Sequence, residues 1–256
     1  MADRTPGYLD GRRSRVGNVS TWSDVPNVLI PGTLEAYGIF EDFVSLEQLN
    51  IGGDSNGWDF WIQNAAVLSQ GDNAGGAALI TCGGTDEDSG QIILGALAGG
   101  GIFFPAADKH LWFEARVYAG VVSAAEFNYF IGLINPVNAA ILADAGGAFP
   151  NDDMLGFAAV DGDANWSFVG DNASAEDLNP LGAGAVVTAA WHTLGFYVNG
   201  VTDVTVYYDR VAIAAGAIAT ANIPTTGLMP AIAVKAGAVA AETITVDYVM
   251  CVQLRV

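Results

Sequence analysis

The stretch HLWFEARVYAGVVSAAEFNYFIGLINP, residues 110–136, decides the fold class. In it Leu111, Phe113, Ala115 and Val117 alternate with Trp112, Glu114, Arg116 and Tyr118. Phe127, Tyr129, Ile131 and Leu133 then alternate with Asn128, Phe130, Gly132 and Ile134. A period of two sends successive side chains to opposite faces of a sheet, and both faces here carry enough apolar mass to be covered. A second stretch, AWHTLGFYVNGVTDVTVYYD (190–209), repeats the pattern and breaks at Asn199-Gly200, a dipeptide suited to the positive φ of a tight hairpin. Aromatics placed in broad paired strands build an all-β sandwich. Such sandwiches bind sugars, bind proteins or cover surfaces, and only some of them catalyse.

Outward from these stretches, alternation predicts strands near Ile39–Ser45, Trp58–Gln63, Ala77–Cys82, Gln91–Leu97, His110–Tyr118 and Glu126–Asn135. They resume at Met154–Val160, Trp166–Val169, Ala185–Val198, Val204–Asp209, Leu228–Lys235 and Thr243–Arg255. The last, TITVDYVMCVQLR, is read as alternating over its whole length. The Ala/Gly-rich segment from Pro136 to Asp153 reads as a long loop with a helical turn at Asn138–Asp144. No repeat stands out at a solenoid or propeller period.

At 256 residues the chain can bury a full core as one domain. Its 32 glycines suit short strands and tight turns. The apolar runs are interrupted, by Gly99-Gly100-Gly101 and Pro105 or by Pro224 and Pro230, so no membrane span is expected. MADRTPGYLDGRRSRV lacks the apolar centre of a signal peptide. Cys82 and Cys251 lie far apart in apolar strand contexts and read as buried free thiols.

The net charge is −19 and unevenly placed. Arg4, Arg12, Arg13 and Arg15 against Asp3 and Asp10 give the first twenty residues +2 and leave −21 on the rest. Residues 1–35 read as an extended arm, basic over its first twenty residues, on an acidic body, 36–256, and the arm is a candidate tether to a negatively charged surface. The body disfavours direct nucleic-acid contact. Strong like charge suits either a particle surface that must not aggregate or a saline habitat.

The order LWFEARV, FNYFIGL, DMLGFAAVDGDANWSF, WHTLGFYVNG, VTVYYD and TITVDYVMCVQLR resembles the concanavalin A-like (lectin/glucanase, laminin-G-like) jelly roll over residues 36–256. More narrowly it resembles the version in structural proteins of tailed bacteriophages. That resemblance implies a jelly-roll β-sandwich acting as a capsid decoration, or cement, protein on the outer capsid surface of a virion. Its expected partners are the major capsid protein and its own copies, as a trimer or dimer on the lattice. The arginines Arg4, Arg12, Arg13 and Arg15 would dock it, although the arm lies outside the family pattern.

Laminarinase-type members of the same fold are similar at Asp247, Tyr248 and Val249. Their chemistry needs paired carboxylates spaced Glu-x-Asp-x-x-Glu, one as nucleophile and one as general acid. That motif is absent: Glu41-Asp42 with Glu47 has the wrong spacing, and Glu35 is isolated. Glu114 sits two residues from Arg116 on the same strand face and reads as a structural ion pair. His110 and His192 stand beside tryptophans at strand starts and read as packing residues. Two histidines and two separated cysteines do not suggest a zinc site of ordinary ligand count, Ser167 and Ser174 lack a nucleophile elbow, and Gly99–Gly101 precedes no helix. No enzyme activity and no cofactor are expected.

Two binding candidates remain. Asp161, Asp163 and Asn165 place oxygen ligands at alternate positions, which suits calcium, while Asp-Gly-Asp is equally a good turn. Asp86-Glu87-Asp88 is a weaker acidic loop. Trp58 and Trp61, with Asn56, Asp59 and Gln63, could form a glycan rim, although a spacing of three puts the two rings on opposite faces and one of them in the core. Trp112, Trp166 and Trp191 fit core or intersheet positions better. A carbohydrate-binding, lectin-like module, in a tail fibre or surface adhesin, is the alternative to capsid decoration.

Overall fold

The computed structural model describes residues 15–16, 19–20, 36–43, 57–71, 76–95, 100–120, 127–136, 140–142, 149–150, 153–173, 175–237 and 241–255. Arg4, Arg12 and Arg13 lie outside the described residues. Arg15 is described only as backbone, in the ribbon of β1 (Arg15–Val16) and β2 (Val19–Ser20).

The body then runs through β3 (Ala36–Glu41), β4 (Trp58–Gln63), β5 (Ala66–Gln70), β6 (Ala78–Cys82), β7 (Ser89–Leu94), β8 (His110–Gly120) and β9 (Phe127–Ile134). It continues with β10 (Asp153–Ala159), β11 (Ser167–Asn172), β12 (Ala175–Pro180), β13 (Trp191–Asn199), β14 (Asp203–Tyr208) and β15 (Val211–Ile213). β16 (Met229–Ala236) and β17 (Thr243–Leu254) close the chain. One sheet has the order β12-β11-β10-β9-β16-β7-β4. The other has β15-β14-β13-β8-β17-β6-β5, with β3 paired to the C-terminal half of β17. Neighbouring strands pair antiparallel, and the two sheets form a jelly-roll sandwich.

The alternation of 110–136 is what glues the sheets together. Leu111, Phe113, Ala115 and Val117 of β8 and Tyr129, Ile131 and Leu133 of β9 all enter one buried cluster. At its centre Phe113 stacks on Phe196 at 4.9 Å, and Phe168 meets Phe157 edge-on at 5.2 Å. Removing each such ring from water is worth about 1.5–3 kcal/mol. Cys82 and Cys251 are free and buried in this core.

The hairpin between β13 and β14 turns through Gly200–Thr202, with φ +62° at Gly200 and the Thr202 N–H donating to the Asn199 carbonyl at 3.0 Å. Gly132 and Gly156 face each other in the β9–β10 ladder. A methyl group on Gly132 would stand 2.4 Å from the Leu155 carbonyl oxygen, so only bare backbone fits beneath the Phe130 ring.

Several expectations are corrected. β13 starts at Trp191 rather than Ala185, and β3 spans Ala36–Glu41 rather than running to Ser45. β5, β12 and β15 carry no strand signal in the sequence: AVLSQ lacks aromatics, AEDLNP is polar and ends in proline, and VAI is three residues long. The helical turn expected at Asn138–Asp144 lies mostly outside the described residues. The alternation of β17 is broken by a register shift between Val246 and Tyr248. Ile244 and Val246 point into the core, and after the extra residue Val249 and Cys251 do so.

Candidate functional site

The two outer faces of the sandwich differ in kind. On the seven-stranded sheet, Ile93, Phe130, Ile134, Met154, Ala158, Val169, Met229 and Ala231 form a buried apolar cluster with Ile141, Leu142 and Phe149. Residues 140–142 and 149 cross this face and are tied down near both sides. The Ile141 N–H donates to Gln91 Oε1 on β7 at 2.9 Å, and the Phe149 N–H donates to Glu176 Oε2 on β12 at 2.8 Å. Two carboxylates do stand opposite each other here, Asp171 on β11 and Glu176 on β12. Glu176 anchors the crossing segment, however, and Asp171 is 2% exposed, so the pair is not offered to a substrate as a glycosidase pair must be.

The outer face of the eight-stranded sheet is graded. At one end Trp112, Tyr197, Tyr207, Met250, Val252, Leu254 and Ala36 bury one another, with Trp112 and Tyr197 5.5 Å apart and His110 hydrogen-bonded to the Tyr197 hydroxyl and stacked on its ring. In the middle Glu114 is fully buried and accepts the Tyr248 hydroxyl at 2.5 Å, with Arg210 Nη2 3.8 Å away. Burial and the neighbouring carboxylate push the Tyr248 hydroxyl well above its usual range. Glu114 therefore does not pair with Arg116 as the sequence suggested. The bulge in β17 puts Asp247 beside Arg116, at 2.6 Å, and Tyr248 over Glu114.

At the far end the face opens. Trp191, Tyr118, Thr245, Leu79 and Ser69 are consecutive cross-strand partners on β13, β8, β17, β6 and β5. At strand spacing this row is about 19 Å long. Trp191, Tyr118, Thr245 and Leu79 are half-buried, and Ser69 is exposed. The Arg116 guanidinium lies 4.6 Å from the Trp191 ring centre while bound to Asp247, so it is fixed from two sides. Trp191, expected in the core, faces outward because Leu194, Phe196 and Val198 occupy the inward positions of β13. Trp191, Tyr118, Arg116 and Asp247 are the residues that sequence reading missed. The signal was present in the parity of LGFYV, which sets the outward side of Trp191.

Of the expected glycan residues, Trp58 is 1% exposed in the core against Phe43, and cannot stack a sugar. Trp61 is half-buried on the outer face of β4, which it shares with Asp59 and Gln63. Around Asp161–Asn165 the polar atoms hold a turn. Asp163 Oδ1 accepts the Asn165 N–H at 2.9 Å and its side-chain amide at 3.2 Å, and the Asp161 N–H donates to Asn128. Among the described residues no three His, Cys, Asp or Glu side chains gather as a metal-binding group. Asp88 is buried, its carboxylate accepting the Thr85 N–H at 3.1 Å, while Asp86 and Glu87 are exposed.

His192 links the Thr188 hydroxyl (3.0 Å) to Asp209 (2.9 Å), in the hydroxyl–imidazole–carboxylate order of an acyl-transfer triad. Asp209 is 47% exposed and also accepts the Thr193 N–H at 2.9 Å. Water screens the charge that a hydrolase buries, so the chain acts as a clamp on the strained turn at Asp209 and Arg210, with φ +48° and +67°. No helix among the described residues is long and apolar enough to cross a membrane.

No protein-family model matches the chain, and no curated protein is similar to it in sequence. Its shape is shared with solved structures. An endo-1,3-β-glucanase from Streptomyces sioyaensis superposes with TM-score 0.53 at 14% identity, covering 88% of this chain and 98% of that one. The fold is the concanavalin A-like jelly roll. The carbohydrate recognition domain of Emp47p has the same fold, with TM-score 0.51 at 11% identity over 86% of this chain and 95% of that one. A protein of unknown function from Shewanella oneidensis reaches 0.58 at 13% identity, over 86% and 87%. Enzymes and lectins thus share this concanavalin A-like architecture, and likeness at these identities bears on fold alone.

Proposed function

We propose that the chain is a non-catalytic carbohydrate-binding module of lectin type, and that the open end of its eight-stranded sheet is the contact surface. The observation that carries this reading is the row Trp191–Tyr118–Thr245–Leu79–Ser69, flanked by the fixed Arg116–Asp247 pair. Aromatic rings offer faces to sugar C–H groups, threonine and serine hydroxyls donate and accept, and the ion pair offers both roles in a set orientation. A flat row suits an extended polysaccharide better than a small ligand, which needs concavity. The fold shared with a carbohydrate recognition domain is consistent with this reading. Trp61 with Gln63 offers a secondary contact at the edge of the other sheet.

A screen of soluble and insoluble polysaccharides, with reducing ends measured alongside, tests the reading. Retention without release of reducing sugar is expected. The competing reading is capsid decoration, with the arginine arm docking on a major capsid protein. It predicts no retention on any glycan and stoichiometric, salt-sensitive co-sedimentation with capsids lacking the protein.

A further inference from the structure

Sheet edges carry backbone groups that invite pairing, and proteins blunt them with charge, proline or shortness. β12 carries Glu176 and Asp177 and ends at Pro180, β4 carries Asp59, β3 carries Glu41, and β15 has three residues. β5, Ala-Val-Leu-Ser-Gln, has none of these devices, and its Val67 is 61% exposed. Among the described residues β5 pairs with β6 alone. Neither β6 (ALITC) nor the start of β17 that pairs with it (TITV) carries a charge. In a chain of net charge −19, this is a neutral strip three strands wide.

We propose that β5 pairs antiparallel with β5 of a second copy of this chain, joining two eight-stranded sheets into one. Two bodies of −19 repel each other, so a self-contact is tolerated only where charge is missing, as it is here. The backbone fixes the register. Gly71 N–H donates to the Ala77 carbonyl and Gly83 N–H to the Ala65 carbonyl, which places Ala65, Val67, Ser69 and Gly71 in the hydrogen-bonded positions toward β6. The N–H and C=O of Ala66 and Leu68 therefore point away from β6, to the open edge. A two-fold axis midway between Val67 and the partner's Val67 lets Ala66 exchange both hydrogen bonds with the partner's Leu68. Val67 then lies opposite the partner's Val67 in the close, non-hydrogen-bonded position, about 4.5 Å apart at Cα. The contact is isologous, so it closes at two copies. An axis perpendicular to the sheet puts both open faces, each with its Trp191, on the same side of the dimer. The pairing itself does not depend on what those faces bind.

The test is sedimentation velocity of the full chain over a concentration series at low and high salt. The expected result is a concentration-dependent doubling of mass that strengthens with salt, as repulsion is screened. Val67→Lys is expected to weaken association at least tenfold and to lose amide-exchange protection at Ala66 and Leu68, with an unchanged melting temperature at a dilution where wild type is also monomeric. Val67→Thr, which keeps the branched strand-forming shape, retains pairing. A monomer at every concentration and salt overturns the proposal. So does a dimer whose affinity and exchange pattern Val67→Lys leaves unchanged.

Discussion

The outer face of the seven-stranded sheet and that of the eight-stranded sheet begin from the same strand alternation and end with opposite fates. On the first, Phe130, Met154, Val169 and Met229 are apolar and are roofed by residues 140–142 and 149. On the second, alternation supplies Arg116, Tyr118, Thr193, Trp191 and Thr245, and the end of the face stays open. A concanavalin A-like sandwich has two faces on which a site can be built. This chain has filled one with core and left aromatic, hydroxyl and charged side chains on the other. Substitutions of similar size on the two faces should therefore fail differently.

The largest effect is expected under the roof. Phe130→Ala removes a fully buried ring that packs on Phe149 and should cost about 3–5 kcal/mol in chemical denaturation. A cost below about 1 kcal/mol would mean that this face is not a second core. Next comes the polar centre of the open sheet. Tyr248→Phe deletes the hydroxyl that serves buried Glu114 and should cost about 1–3 kcal/mol. Combined with Glu114→Gln it should cost less than the sum of the two single changes.

Alkaline pH acts on the shared core. Burial raises the Cys82 thiol to about 11 and drives Tyr129 higher still. The unfolded thiol ionises first, so stability is complete below about pH 9 and falls as pH rises toward 11. Denaturation midpoints measured across that window should decline, and native Cys82 should resist alkylation at pH 8. The smallest stability effect is expected at Trp191→Ala, within about 1 kcal/mol because the ring is half-buried. Its consequence should appear in binding. A loss comparable to that of Phe130→Ala would make Trp191 a core residue after all.

The sheets were legible because LWFEARVYA and FNYFIGLI hold their period where both faces are covered, so pattern and burial agree. The site was harder to read. Trp191 reads as a core or intersheet residue by its size, while the parity of Leu194, Phe196 and Val198, carried back along the same strand, puts it on the outward side. The Arg116–Asp247 and Tyr248–Glu114 contacts follow from the bulge at Val246/Tyr248, which TITVDYVMC does not announce by any glycine. β5 and β12 escaped because edge strands bury little and so carry little hydrophobic pattern. Trp58 and Trp61 show the rule working: three residues apart on a strand, they took opposite faces, with Trp58 in the core.

The open-face site is tested most sharply by calorimetric titration of the polysaccharide retained in the screen against wild type, Trp191→Ala and Trp61→Ala. Trp191→Ala is expected to lose at least tenfold in affinity while melting within about 4 °C of wild type, with a smaller loss of affinity for Trp61→Ala. Equal affinity for wild type and Trp191→Ala would contradict it and move the site off the open face.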